Sequence, residues 1–498
     1  MKRNNFSILL GGTLLLAVLA GQAQAQERTI SEQSLLRPCQ IDGVEEELLC
    51  GTITVPENRD DPAGRQIDLH VVVLSALDPE PGLAPLFDLA GGPGIAATSA
   101  AEFYATFGRA FRQHRDVVLM DQRGTGGSNP LHCASLEAYD GDPRRYLREM
   151  YPVEAIKTCR EALEGHADLT QYTTTAAAND LNAVRDALGY DRIDLYGLSY
   201  GTRLALEYMR RYPEQVRSAV LQGAAPPSLT MPLHHALDAE RAAELLMEAC
   251  ETELACREAF PDLRREWKEV FSRLARAPAR TQWSGASGAD VEVEVQRGVF
   301  ATEVRSMMYT QAGVRQIPLI IHEAAAGNFA PFLKRVIPED IRETGFLAEG
   351  MYLSVTCTED VPWIEAGEAE RLASGTFLGD YRVLQQQRAC EHWPPGRIPA
   401  DFHDPVTAAI PVLIISGHAD PATPPRWGNE VARHLPNSRH VVIPHLAHLL
   451  DGLSNVAECL DRALNEFFAR GTAKGLDVGC VGTMRPPPFL TKLEADRE

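Results

Sequence analysis

Short apolar runs alternate with longer amphipathic segments over most of the chain. Apolar runs of strand length lie at 52–55, 67–75, 86–89, 117–120, 193–196 and 218–222. Amphipathic segments of helix length lie among them at 153–164, 176–188 and 202–211. The first two runs predict an antiparallel pair. The later alternation predicts a mostly parallel sheet with helices on both faces.

The pattern changes after residue 223. From 224 to 400 the chain is rich in helical patterns, for example at 236–249 and 263–274, and lacks regular strand alternation. Strand and helix patterns then return in turn at 410–416, 427–435, 439–443 and 456–470. We therefore predict an α/β fold whose doubly wound sheet, at 26–223 and 401–498 with a C-terminal tail, is interrupted by a helical lid or cap at 224–400.

The first 25 residues have the pattern of a secretory signal peptide. A positive start is followed by an apolar run at 6–19 and by the small-x-small site Ala-Gln-Ala at 23–25. The apolar run is shorter than a bilayer span, which argues against an uncleaved membrane anchor. We expect cleavage after Ala25 and a periplasmic or secreted protein with no membrane segment thereafter.

Ten cysteines fit an exported protein, because an even number in such a chain favours disulfides. Connectivity does not follow from sequence alone, and sequential pairing is preferred because it closes five short loops. The predicted pairs are Cys39–Cys50, Cys133–Cys159, Cys250–Cys256, Cys357–Cys390 and Cys459–Cys480. No pair has the C-x-x-C spacing of a zinc site.

Composition and charge exclude some classes of binding partner. The 498 residues are 45% hydrophobic and 23% charged, which indicates a globular protein. Asp and Glu number 68 against 48 Lys and Arg, a formal net charge of −20. So acidic a chain repels nucleic acid phosphates and anionic lipid, so neither is an expected partner. The oligomeric state stays open.

A Gly-x-Ser-x-Gly motif lies at 197–201, directly after the strand predicted at 193–196 and before the helix predicted at 202–211. The motif alone is common, but this context is typical of a nucleophile elbow, a sharp turn that exposes the Ser199 hydroxyl. The helix N-terminus beneath the turn favours negative charge there. The alternative is a glycine-flanked turn serine without catalytic function.

A serine nucleophile needs a base that an acid orients. In doubly wound hydrolases the acid and then the base follow late strands. Here Asp420 follows the apolar run at 410–416, and His445 and His448 follow the run at 439–443. We favour His448 as the base because His445 is closer to the strand end. A metal site at these histidines is disfavoured, since no Glu lies between them.

The stretch Gly-Gly-Pro-Gly at 91–94 follows another apolar run. A phosphate-binding loop would need a nearby lysine or a G-x-G-x-x-G pattern, and neither is present. Ahead of a nucleophile elbow, this loop is expected to supply one N–H of an oxyanion hole. We assign that role to Gly92, and the second N–H to Tyr200, the residue after the nucleophile.

Three stretches together resemble the proline iminopeptidase group of the α/β-hydrolase superfamily: 91–94, Asp-Gln-Arg-Gly-Thr-Gly-Gly-Ser at 121–128, and 197–201. Residues 411–480 are similar to the C-terminal region of secreted bacterial tripeptidyl aminopeptidases. The resemblance implies the α/β-hydrolase fold and an aminopeptidase activity without a cofactor. Arg123, in the second stretch, is expected to pair with a carboxylate and to hold loops together.

The same resemblance assigns the catalytic residues, with Ser199, Asp420 and His448 as the triad. The sequence departs from the family pattern at two positions. Ala90 stands where these enzymes commonly have histidine, and Ala447 stands where glycine commonly precedes the catalytic histidine. Neither change removes a triad group, but Ala90 leaves substrate specificity open.

Aminopeptidases of this family bind the substrate's α-ammonium with carboxylates from the insertion. Glu359 and Asp360 are the candidates, with Cys357 fixing the segment so that one of them faces the cleft; the alternative is a solvated acidic pair. The expected substrate is a short peptide or a small ester or amide. An esterase or lactonase is the rival function, and a non-catalytic binding protein is a weaker one.

Overall fold

A nine-stranded sheet forms the centre of the described residues, which are 35–137, 142–284, 290–337 and 347–492 of this computed structural model. Its strands lie in the order β1 (Leu36–Cys39), β2 (Leu48–Pro56), β3 (Gln66–Leu74), β5 (Val117–Met120), β4 (Leu86–Leu89), β6 (Ile193–Leu198), β7 (Val216–Gln222), β10 (Val412–Gly417) and β11 (Ser438–Ile443). The predicted signal peptide at 1–25 lies outside the described residues.

The sheet has the predicted mixture of directions. Strands β1, β2, β3 and β5 pair antiparallel in turn, and every pair from β5 through β4, β6, β7 and β10 to β11 is parallel. The predicted antiparallel pair is therefore confirmed as β2 and β3. Strand β1 was not predicted, because it is short and only partly buried.

Helices cover both faces of the sheet. Before the insertion they are α1 (Ala101–Ala105), α2 (Ala134–Glu137), α3 (Val153–Glu164), α4 (Thr174–Ala187) and α5 (Tyr200–Arg211), and after it α16 (Pro425–His434) and α17 (Arg462–Arg470). Along β3, Val71 and Val73 pack into one apolar core, while Val72 and Leu74 pack into the other. Burial on both faces explains why the strands read as continuous apolar runs.

The insertion between β7 and β10 has its own apolar core. Its helices are α6 (His235–Thr252), α7 (Leu254–Ala259), α8 (Leu263–Arg276), α9 (Arg297–Met307), α10 (Gln311–Val314), α11 (Ile317–Ala325), α12 (Ala330–Val336), α13 (Glu349–Glu359), α14 (Glu368–Ala373) and α15 (Tyr381–Cys390). Because β7 pairs directly with β10, the chain leaves the sheet and returns beside the strand where it left. The boundaries 224 and 400 stay predictions.

The sequence predicted a helical insertion, but the insertion also contains two strands. Strands β8 (Ala279–Ser284) and β9 (Asp290–Val295) form a separate antiparallel pair. Val293 and Val295 of β9 are buried and Val291 is half-buried, whereas the acidic residues that alternate with these valines are exposed. This alternation over six residues indicates a strand, and the prediction of a helical insertion did not take it into account. The last predicted helix also differs, because a π-helical turn at Val456–Asp461 precedes α17.

All five predicted cysteine pairs form disulfides. Cys357–Cys390 joins α13 to α15 and so ties two helices of the insertion together. Cys459–Cys480 ties the C-terminal segment to the turn before α17. Among the described residues, no helix is both long and apolar enough to cross a membrane.

Candidate active site

Ser199 occupies the sharp turn between β6 and α5, with φ 56° and ψ −121°. A non-glycine residue rarely adopts such a conformation, and the glycines around Ser199 allow it. A Cβ on Gly201 would lie 1.9 Å from the carbonyl oxygen of Leu89, and one on Gly197 would lie 2.7 Å from that of Gly201. The motif therefore needs glycine at both positions, which supports the elbow interpretation.

Asp420 and His448 form a buried hydrogen-bonded pair. His448 Nδ1 lies 2.8 Å from Asp420 Oδ2, and the two side chains are almost inaccessible to solvent. Asp420 follows β10 and His448 follows β11, which are neighbouring parallel strands that end at the same edge. His445, the competing histidine, is exposed, and its carbonyl oxygen accepts a hydrogen bond from Gln311.

The surroundings of Asp420 keep it ionised. Its oxygens accept hydrogen bonds from the backbone N–H groups of Ala422 and Thr423 and from the Thr423 hydroxyl, at 2.7 to 2.9 Å. Burial alone would raise the pKa of Asp420, but His448 and these donors outweigh it and hold the pKa below its usual value. An ionised Asp420 only accepts, so His448 carries its proton on Nδ1 and leaves Nε2 free to take a proton.

The sheet brings Ser199 and His448 together across the end of β7. The Ser199 N–H donates to the carbonyl oxygen of Gln222, the last residue of β7. At the next residue, Gly223, a Cβ would lie 3.2 Å from the His448 ring and 2.9 Å from the Thr423 hydroxyl. Glycine at 223 thus leaves room for the His448 ring beside the elbow.

The loop at 91–94 lies against the elbow. A Cβ on Gly91 would lie 3.3 Å from the Ser199 Cβ. Gly92 has φ 108°, a value that strongly favours glycine. Within the described residues the Gly92 and Tyr200 N–H groups donate to no protein acceptor. Two free N–H groups beside the nucleophile, one of them at the N-terminus of α5, are what an oxyanion hole requires.

Arg123 has the structural function predicted for it. Its guanidinium forms two hydrogen bonds to Asp180, at 2.6 and 2.8 Å, and both side chains are fully buried. The adjacent Gln122 donates to the carbonyl oxygen of Ala90. The loop at 121–128 therefore holds the residue that precedes the loop at 91–94.

Glu359 and Asp360 do not face an open cleft, which corrects their expected placement. Both side chains are fully buried at the end of α13, where Arg203 of α5 binds them. Arg203 Nη1 lies 3.1 Å from both Asp360 oxygens and 3.6 Å from Glu359 Oε2. The other hydrogen-bond donors to the pair are the Met231 N–H and the Thr174 N–H and hydroxyl.

This ion cluster contacts the elbow from behind. The Thr174 hydroxyl, which donates to Glu359, lies 2.8 Å from the Tyr200 hydroxyl. Burial raises the pKa of Glu359 to about 7, although Arg203 and Thr174 act in the opposite direction. Two carboxylates against one guanidinium leave up to one negative charge behind the nucleophile.

Two residues of this site were missed by the sequence interpretation. Thr423 holds both the acid and the base, and its signal was its position three residues after Asp420, where a hydroxyl can bond back to the carboxylate. Tyr309 of the insertion packs edge-on against the His448 ring at 4.8 Å. Nothing in the sequence linked Tyr309 to His448, because only tertiary packing brings the insertion over the sheet.

Comparison with known proteins agrees with the fold described above. Residues 86–275 match the family described as alpha/beta hydrolase fold, and residues 375–480 match the family described as TAP-like protein. The chain is 25% identical over 478 residues to the tripeptidyl aminopeptidase of Streptomyces coelicolor, covering 88% of this chain and 84% of that protein.

Two further relatives differ in their named activities. Carboxylesterase B of Mycobacterium tuberculosis is 28% identical over 481 residues, which cover 87% of this chain and 86% of that protein. The crystal structure of proline iminopeptidase from Mycobacterium smegmatis aligns with a TM-score of 0.39 and 20% identity, over 84% of this chain and 98% of that one.

Proposed function

Because this chain is a serine hydrolase with the α/β-hydrolase fold, we propose that it is an exported aminopeptidase that forms an acyl-enzyme on Ser199. It releases N-terminal residues or short peptides. The observation that carries the proposal is the buried Asp420–His448 pair beside the Ser199 elbow. The length over which the chain is similar to a tripeptidyl aminopeptidase supports the peptide substrate.

The first half of the reaction uses the proton positions of the triad. Ser199 Oγ attacks the scissile carbonyl carbon while His448 Nε2 takes its proton. The imidazolium that forms is stabilised by Asp420, whose charge lies 2.8 Å from Nδ1. The carbonyl oxygen becomes an oxyanion, which the N–H groups of Gly92 and Tyr200 bind.

The second half restores the enzyme. His448 gives its proton to the leaving amine, and the bond between carbonyl carbon and nitrogen breaks. Water then attacks the carbonyl carbon of the Ser199 ester while His448 takes a proton from it. The bond between that carbon and Ser199 Oγ breaks, His448 returns the proton to Oγ, and the carboxylic acid product leaves. No step requires a group from outside the chain and its substrate other than water.

Recognition of a free α-ammonium is the part of the proposal that separates it from an esterase. Glu359 and Asp360 are too buried for direct contact, but their excess negative charge lies behind Tyr200 and attracts an ammonium on the acyl side of Ser199. Export rests on the N-terminal pattern and on five disulfides, which persist in oxidising compartments.

Matched substrates test the requirement for a free amine. We expect kcat/KM for chromogenic mono-, di- and tripeptides with a free N-terminus to exceed that of their N-acetylated counterparts about tenfold or more, because acetylation removes the charge. Rates are measured beside those of short-chain nitrophenyl esters. Equal turnover of free and acetylated peptides, or faster turnover of simple esters, would contradict the aminopeptidase proposal and favour an esterase.

A fluorophosphonate probe separates both of these enzymes from a binding protein. The folded protein should be labelled at Ser199, since the probe reacts with an activated serine. Labelling is read by mass spectrometry of the peptide that contains residue 199. Folded protein that stays unlabelled would exclude catalysis by Ser199.

A further inference from the structure

The insertion places a cluster of hydrogen-bond donors beside His448. Tyr309, two residues after α9, packs on the His448 ring. The backbone carbonyl oxygen of Tyr309 accepts a hydrogen bond from the backbone N–H of His448 at 3.2 Å. The Tyr309 hydroxyl accepts from Arg305, one turn earlier, at 2.8 Å. Because the oxygen accepts from Arg305, the hydroxyl hydrogen is available to donate, and no acceptor for it exists among the described residues.

Arg305 is a buried cation with little compensation. Its side chain is 6% exposed, and the Tyr309 hydroxyl is its hydrogen-bond partner. Arg305 Nε has no acceptor, and no carboxylate of the described residues lies within 4.0 Å of the guanidinium. The Tyr309 ring lies 5.1 Å below it. Burial of a charge in this state is costly without a counter-charge.

Arg382 of α15 repeats the arrangement. Its guanidinium donates to the Tyr352 hydroxyl at 2.8 Å and to Gln386 at 2.9 Å, and it forms no ion pair within the described residues. Burial raises the pKa of Tyr352, and the charges of Glu349, Asp360 and Tyr309 act in the same direction, whereas Arg382 opposes them. The Tyr309 and Tyr352 hydroxyls each accept from one arginine and keep a hydrogen to donate.

His235 connects the two arginines to the catalytic histidine. It is 8% exposed, and its Nδ1 has no partner. Burial, followed by the charges of Arg305 and Arg382, holds the pKa of His235 well below its usual value, and His448 acts in the same direction. Arg305 and Arg382 therefore both act on the same buried histidine.

Neither guanidinium of this region forms an ion pair within the described residues. Glu349, which accepts from the Tyr151 hydroxyl at 3.2 Å, is the carboxylate whose charge acts on Arg382. We name Arg305, Tyr309, Tyr352 and Arg382 the donor cluster. It offers guanidinium and hydroxyl hydrogens beside the catalytic base, which is the composition that binds a carboxylate.

We propose that the donor cluster binds a carboxylate on the leaving-group side of the scissile bond. We assign it to that side because Tyr309 packs on the His448 ring and His448 is the group that gives its proton to the leaving amine. The inference rests on the proposed peptidase function and deepens it. The preferred substrates are short peptides whose released part ends in a free carboxylate, or carries an acidic side chain, close to the scissile bond.

Matched peptides distinguish these two sources of the carboxylate. One pair has a free amine and differs only in a C-terminal carboxylate or carboxamide. A second pair has a C-terminal carboxamide and differs in Asp or Asn after the scissile bond. We expect kcat/KM to favour the charged member of at least one pair about tenfold or more. A ratio near one in both pairs, with the peptides cleaved, would overturn the inference and leave the peptidase function intact.

Variants then link the preference to the cluster. Arg305→Gln and Arg382→Gln should each bring the ratio close to one, whereas Arg276→Gln, on the exposed end of α8, should leave it unchanged. Tyr309→Phe keeps the ring against His448 and removes only the hydroxyl. This variant therefore tests the effect of the cluster on the ratio even if an arginine variant does not fold. We expect the ratio to fall about threefold or more in Tyr309→Phe. A preference that survives all three variants would contradict the assignment.

A further measurement separates this inference from the proposed function. If no peptide is cleaved but nitrophenyl esters are, the peptidase proposal has failed. Inhibition of ester hydrolysis by a tripeptide acid is then compared with inhibition by its amide, in wild type and Arg305→Gln. Stronger inhibition by the acid in wild type alone supports the carboxylate site, and equal inhibition by acid and amide overturns it.

Discussion

Replacing Ser199 with alanine should lower kcat about a million-fold, because the attacking oxygen and the acyl-enzyme are both lost. Stability should change by no more than about 0.5 kcal/mol, since the hydroxyl makes no hydrogen bond that holds the elbow. Turnover of the best substrate and urea unfolding measure the two effects. The residual rate reports the contribution of the Gly92 and Tyr200 N–H groups.

Histidine and aspartate variants test the rest of the triad against close neighbours. His448→Ala should cost about as much as Ser199→Ala, and Asp420→Asn about 10⁴-fold, because an amide can donate to Nδ1 and impose the wrong tautomer. His445→Ala is the matched control, since His445 is exposed and lies three residues before His448. A large loss in His445→Ala with little loss in His448→Ala would reverse the assignment.

The catalytic edge of the sheet could be predicted because its constraints are local. Gly197 and Gly201 are required by contacts with their own turn and with the end of β4, so the motif carries the geometry with it. Asp420 and His448 follow neighbouring strands. Because these strands are parallel, their ends lie at the same edge of the sheet. The sequence therefore sufficed for the strands that carry these residues and for the order of the residues along the sheet.

The insertion could not be predicted to the same degree because its contacts are long-range. Glu359 and Asp360 are adjacent acidic residues, which usually lie in solvent, and no signal in the sequence indicated that Arg203 buries them. Arg305 and Tyr309 are four residues apart, and nothing in that spacing indicated a contact with His448. Their position beside His448 depends on how the insertion folds back over the sheet.

Arg203→Met should destabilise the protein by about 3 to 5 kcal/mol, because it leaves Asp360 and Glu359 buried without their counter-charge. The guanidinium also donates to the Leu229 carbonyl oxygen at 2.6 Å, so this oxygen loses its hydrogen-bond donor in the variant. Since Arg203 joins α5 to α13, the insertion should loosen from the elbow. Urea unfolding followed by near-UV circular dichroism measures the loss. Arg265→Met, which breaks exposed pairs with Asp262 and Glu269, is the control and should leave the unfolding midpoint nearly unchanged.

The pH dependence of this loss distinguishes the charge from simple packing. Without Arg203, burial raises the pKa of both carboxyl groups in the folded state above their unfolded values, so folding binds protons and stability falls as the pH rises through those values. The deficit of Arg203→Met should therefore be smaller near pH 5 than near pH 8. Adding Glu359→Gln and Asp360→Asn should restore part of the stability at pH 8, because neutral amides need no counter-charge. A deficit that is equal at both pH values and is not reduced in the triple variant would mean that Arg203 acts through its volume, and that the buried ion cluster does not hold the insertion on the elbow.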